Sequence, residues 1–61
     1  MKGDLINRIE RIRSELGIPM TKLCRNMEIT PRSIYAWKNG EINLKDETVK
    51  RIDDYLTKYG F

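Results

Sequence analysis

Sixty-one residues make one small domain, too short for a second core, a cofactor-sized cavity or a catalytic fold with lids. Apolar residues make up 39% and charged residues 34%, the balance of a globular chain rather than a disordered one. Twelve Lys and Arg against nine Asp and Glu leave a net charge of +3, an excess that permits a polyanionic partner and makes its position along the chain the next question.

Further classes fall with little effort. No apolar run approaches the roughly 18 residues of a membrane span. The opening residues pass directly into an amphipathic pattern, against a signal peptide and in favour of a cytoplasmic protein. One Cys cannot staple the fold, and the absence of His removes a structural zinc site. Without His no nucleophile, base and orienter set can be drawn, so an enzyme is not expected. Neither a cofactor nor a small-molecule ligand is expected. A core this size supplies only about 3–5 kcal/mol, so a partner or a second copy would add stability.

In chain order, the first helix is expected from about Asp4 to Leu16. Leu5, Ile9, Ile12 and Leu16 share one face, Asp4 is placed as N-cap, and Gly17 and Pro19 mark the stop. A second helix is expected over about 19–27, with Pro19 in its first turn and Leu23 and Met27 inward. Thr30 and Pro31 read as N-cap and first residue of the third helix, whose inner pair is Ile34 and Trp37 and whose end is Asn39-Gly40. The fourth is expected over about 44–59, with Asn43 as cap, an inner stripe of Val49, Ile52, Leu56 and Tyr59, and Gly60 as stop. No segment alternates long enough to be a strand. The fold expected is an all-α bundle of four or five short helices in a single domain over residues 1–61.

Between the second and third helices stand only Glu28, Ile29 and Thr30, too tight a link for a long hairpin and suited to a steep helix-turn-helix crossing over about 20–39. With Ile34 and Trp37 inward, Arg32, Tyr35, Ala36 and Asn39 share the outer face of the third helix. A guanidinium, a phenol, a methyl and an amide, with no acid among them, suit base edges. Arg forks onto guanine, Asn onto adenine, and Ala meets the thymine methyl. The charge agrees. Residues 20–40 hold Lys22, Arg25, Arg32 and Lys38 against Glu28 alone, while the rest of the chain has eight bases and eight acids. The whole net charge lies in the two-helix unit.

From Arg13 to about Leu56 the sequence resembles the helix-turn-helix regulators typified by phage repressors and Cro proteins, a λ-repressor-like fold. Leu23, Met27, Ile29, Ile34 and Trp37 match that family's apolar positions, and Cys24 stands where a small residue, most often Ala, is usual. The resemblance implies that the third helix lies in the major groove of double-stranded DNA. It places Thr30, Arg32, Tyr35, Ala36 and Asn39 at groove-facing positions, and Lys22, Ser33, Lys38 and Asn43 where phosphates approach. Four residues depart from the pattern. Met20 and Pro31 replace Gln residues that contact DNA in many members, and Glu28 replaces the turn Gly. Lys38 replaces a Glu that pairs with the first-helix Arg, here Arg13, so that pair cannot form and Lys38 is expected to be freed for phosphate or some other partner.

Other residues have plainer roles. Trp37 and Cys24 are expected in the core. Arg8, Arg11 and Arg13, interleaved with Glu10 and Glu15, are expected on a mixed-charge outer face, and Asp46-Glu47 and Asp53-Asp54 on solvated surface. Tyr55, Tyr59 and Phe61 either form a dimer contact or close the monomer core. The expected function is a sequence-specific DNA-binding regulator, a small phage, plasmid or bacterial repressor acting as a homodimer on a palindromic site. Two alternatives keep the same fold. One is a protein-interaction module, the other an RNA-binding protein.

Overall fold

The computed structural model describes residues 2–61. They form α1 (Lys2–Leu16), α2 (Met20–Asn26), α3 (Pro31–Lys38) and α4 (Asp46–Lys58), with no strand and no fifth helix among the described residues. The all-α bundle expected from the sequence is the fold found. α1 packs against both α3 and α4, and α2 packs against α3. α1 and α4 run in roughly the same sense. Asp4 and Leu5 share a groove with Asp46 and Val49, Arg8 reaches Asp53 and Thr57, and Arg11 lies over the Phe61 ring.

The core is wholly apolar: Leu5, Ile9, Ile12, Met20, Leu23, Cys24, Met27, Ile34, Trp37, Ile52 and Leu56 are its buried members. Each helix contributes the stripe its periodicity demands, and Cys24 fits as a small residue at the α2–α3 contact. Three expected members are not among the buried ones: Val49 is half-buried and packs against the core, and two others lie further out. Leu16, the last residue of α1, is 52% exposed. Tyr59 is 49% exposed as the C-cap of α4, its ring tilted against Tyr55 at 4.9 Å, and Phe61 packs on the core edge in its place.

Several helix starts differ from expectation. α1 already includes Lys2, so Asp4 is in the first turn rather than at the cap, where its carboxylate faces the positive helix end and Arg8 at 3.9 Å. Pro19 is the N-cap of α2, not its first residue: its ψ is 146° and its carbonyl accepts the Leu23 N–H at 3.0 Å. α4 starts two residues later than expected, and Asn43 does not cap it. Leu44 packs on the core edge, and Lys45 after it, in an extended conformation, becomes the N-cap without a side-chain bond. Asp46 and Glu47 in the first turn supply the negative charge favoured there.

Three helices end in the same motif. After α3, Gly40 at φ 78° donates its N–H to Trp37 and Glu41 donates to Ala36; after α4, Gly60 and Phe61 repeat the pattern onto Thr57 and Leu56. After α2 the left-handed residue is Glu28, at φ 58°, with Glu28 donating to Arg25 and Ile29 to Cys24. The helix-turn-helix bend is therefore a Schellman turn built on a residue with a Cβ, a strained choice that costs on the order of 1 kcal/mol. Glu28 also pairs with Arg51 of α4 at 3.7 Å. Beside it the Asn26 amide donates to the Tyr55 hydroxyl at 3.1 Å, so two contacts tie the bend to α4.

Candidate nucleic-acid interface

The outer face of α3 is defined because the start of the helix is fixed. The Thr30 hydroxyl oxygen accepts the Ser33 N–H at 3.1 Å, and Pro31 follows at the position where a missing N–H costs nothing. Ile34 and Trp37 are then turned into the core, which sends Arg32, Tyr35 and Asn39 outward. All three are exposed, Tyr35 by 45%, and Ala36 between them is half-buried. None of their side chains makes a hydrogen bond or ion pair within 4 Å among the described residues. An exposed row of donors with no internal partner is what a groove-reading helix needs.

The remaining candidates divide. Thr30 is exposed, but its hydroxyl is engaged twice, capping α3 and donating to Ser33 Oγ at 2.8 Å. Ser33, half-buried, keeps its own hydroxyl proton free to donate. Lys22 and Arg25 on α2 are exposed, and Asn43 is exposed in the link before α4. Pro31, as expected of a residue without a polar group, offers only its ring. Met20 is a core residue, 8% exposed, so the start of α2 contributes packing where many members of the resembled family place a polar contact.

Lys38 is not free. Its Nζ stands 3.6 Å from Glu10 of α1, and the same carboxylate stands 3.8 Å from Arg13. An acid thus lies between the two like charges of Arg13 and Lys38. The Lys2 ammonium adds a second hold on this end of α3 by donating to the Trp37 carbonyl at 3.2 Å. Neither Glu10 nor Lys2 stood out in the sequence reading. Glu10 could have been found by asking which acid shares a helical face with Arg13, three residues away.

Arg8 is also reassigned. It is not on an outer mixed-charge face, since its side chain is only 18% exposed. It donates to the Phe61 carbonyl at 2.6 Å, to Asp53 at 2.6 Å and to Thr57 at 2.9 Å, clamping the end of α4 onto α1. Phe61 thereby serves closure of the monomer. Arg11, paired with Glu15 at 3.4 Å, does lie on the surface as expected.

Among the described residues no helix is long and apolar enough to cross a membrane. Comparison with curated proteins and with solved structures yields no match. A helix-turn-helix family model matches residues 8–58, which takes in α1 from Arg8 onward, α2, the strained bend, α3 and the whole of α4. The two-helix unit, its outward polar row and this match together place the chain in the Cro and repressor type of helix-turn-helix family, whose members are DNA-binding regulators.

Proposed function

We propose that this protein is a sequence-specific transcriptional repressor of phage, plasmid or bacterial type that lays α3 in the major groove. The observation that carries the reading is the outward face of α3: Arg32, Tyr35 and Asn39 are exposed without internal partners on a helix whose opposite face is locked into the core. In this reading Arg32 and Asn39 read base edges through paired hydrogen bonds, Ala36 meets a thymine methyl, and Tyr35 contacts the groove wall. Thr30 lies at the groove edge through its methyl. Lys22, Ser33 and Asn43 hold phosphates, which fix register without reading sequence.

One short helix covers few base pairs, so the protein acts as a homodimer on a palindromic site with half-sites about one turn, roughly 10 bp, apart. Tyr59 and the half-buried Tyr55 supply exposed aromatic surface for that contact, while Phe61 supports it from within. The outer ridge of α4 adds a second support. Asp46, Lys50, Asp54 and Lys58 alternate in sign at four-residue steps, and none is in an ion pair among the described residues. Two such ridges laid antiparallel match acid to base along their whole length. Each exposed pair is worth only about 0.2–1 kcal/mol, so the dimer forms fully on DNA.

Selection of bound sequences from a random duplex pool tests the reading directly. A recovered motif with two-fold symmetry is the expected result. Arg32→Ala is expected to erase the preference at one base pair in each half-site. A pool that returns no motif, or a variant with unchanged preference and affinity, refutes groove reading by α3.

A further inference from the structure

At the C-terminal end of α3, three charges meet: Glu10 lies 3.8 Å from Arg13 and 3.6 Å from Lys38. The exposure of each determines what it can do. Arg13 is the most covered of the three at 33%, and its Nε is buried with no hydrogen-bond partner, so this side chain is held in place. Lys38 and Glu10 are each about half exposed, at 46% and 48%. The lysine is a long flexible cation on α3, and the carboxylate beside it pairs with its ammonium as an anionic oxygen of a phosphate could. Remove that negative charge and the cluster goes from one net positive charge to two, with only Lys38 able to reach outward.

We propose that Glu10 is an internal stand-in for a DNA phosphate, a positioning residue that holds Lys38 against α1 and withholds it from the phosphate backbone in the complex. Glu10 touches no DNA itself and acts through Lys38. The consequence lies in the salt dependence of binding. Each phosphate neutralised by a cation contributes about 0.9 to the slope of log K against log salt. A lysine already paired with a carboxylate contributes little. Glu10 therefore lowers the non-specific, charge-driven part of binding and leaves the base-reading row of Arg32, Tyr35 and Asn39 untouched. For a domain with so few base contacts, weaker binding to random DNA raises the share of binding that is sequence-specific. This inference rests on the DNA-binding reading above.

The test is a salt titration of binding to a short generic duplex, between roughly 50 and 200 mM salt. The proteins are the full chain, Glu10→Gln, Lys38→Met, the double variant and Glu15→Gln. The last makes the same charge change elsewhere on α1, where Glu15 pairs with Arg11. Glu10→Gln is expected to steepen the slope by about one and to tighten binding about two- to five-fold at the low-salt end, the range an exposed ion pair spans. Lys38→Met alone is expected to leave the slope near that of the unmodified protein and, in the double variant, to cancel the gain. Glu15→Gln is expected to leave the slope unchanged. The inference is overturned by an unchanged slope for Glu10→Gln, by a gain that survives in the double variant, or by an equal gain from Glu15→Gln. It is overturned equally if Lys38→Met alone flattens the slope by about one, which needs no folded Glu10 variant to observe. An unmodified protein that binds no duplex at the lowest salt sinks the DNA-binding reading itself, whereas good binding with unaltered slopes sinks only this inference.

Discussion

The α1–α4 half of the molecule and the α2–α3 half use the same kinds of charged residue in opposite ways. In the first, every arginine has a partner within the fold: Arg8 holds Asp53, Thr57 and the Phe61 carbonyl, Arg11 meets Glu15, Arg13 meets Glu10, and Arg51 meets Glu47. In the second, Lys22, Arg25 and Arg32 make no ion pair among the described residues, and the acid content falls to Glu28 alone. An arginine is thus not a DNA contact by virtue of being an arginine. What differs is whether the fold already supplies its partner. Lys38 stands at the border, on α3 but paired to α1.

The sharpest way to break this contrast is to truncate one arginine from each half. Arg32→Ala is expected to weaken binding to the selected site by about 1–3 kcal/mol, a factor of roughly 5 to 150, with the melting temperature unchanged within error. Arg8→Ala is expected to do the reverse. Its hydrogen bonds to charged or carbonyl partners, discounted for the half-exposed Asp53, are worth about 2 kcal/mol, or roughly 10 °C in a domain of this size. Base preference among the molecules still folded is expected to stay the same. Thermal melts and binding assays on both variants check the crossed pattern. If Arg8→Ala shifts preference without lowering stability, the two halves do not divide as described.

The sequence reveals much of this division and misses the rest for identifiable reasons. Ile34 and Trp37 three residues apart fix which way α3 faces, and Thr30-Pro31 fixes where it starts, so the outer row of Arg32, Tyr35, Ala36 and Asn39 follows from local rules. The contacts of Arg8 with Asp53 and of Glu10 with Lys38 do not follow. The partners are 45 and 28 residues apart in the chain, and only packing of α1 across α4 and α3 brings them together. Helix starts at Asp4 and Asn43 mislead for a related reason. Capping propensity favours both residues, but Leu44 packs on the core edge and α4 begins only after Lys45. Met20 shows the limit of resemblance. The position often carries a polar DNA contact, whereas here a flexible apolar side chain fills the core.

The bend joining α2 to α3 belongs to both halves, because Glu28 lies in the two-helix unit and its partner Arg51 in α4. Glu28→Gly separates its two effects. Glycine adopts φ 58° without the Cβ penalty of about 1–2 kcal/mol, while losing an exposed pair worth up to about 1 kcal/mol and adding some unfolded-state entropy. The net expectation is a gain of up to about 1 kcal/mol, or a few degrees in melting temperature, with DNA affinity nearly unchanged. A fall in stability instead makes the Glu28–Arg51 tie, rather than backbone strain, the dominant feature of the bend.

The smallest effect concerns Cys24, buried in the core where α2 meets α3. Burial pushes its thiol pKa up, and the nearby positive charge of Arg13 offsets only part of that rise. An acid whose folded pKa is raised stays protonated in the native state after the unfolded chain has begun to ionise. Its contribution to stability is therefore complete below the ordinary thiol pKa of about 8.5 and is lost as pH rises through the folded value. Other groups titrate in the same range, so the informative quantity is the stability of the unmodified protein minus that of Cys24→Ala. By urea denaturation, this difference is expected to be constant from pH 6 to about 8 and to shrink towards pH 10. A difference that grows with pH would mean that Arg13 outweighs burial and favours the thiolate. In that case the positive charge of the Arg13, Glu10 and Lys38 cluster reaches into the core as well as towards DNA, and the border between the two halves is electrostatic as much as it is packed.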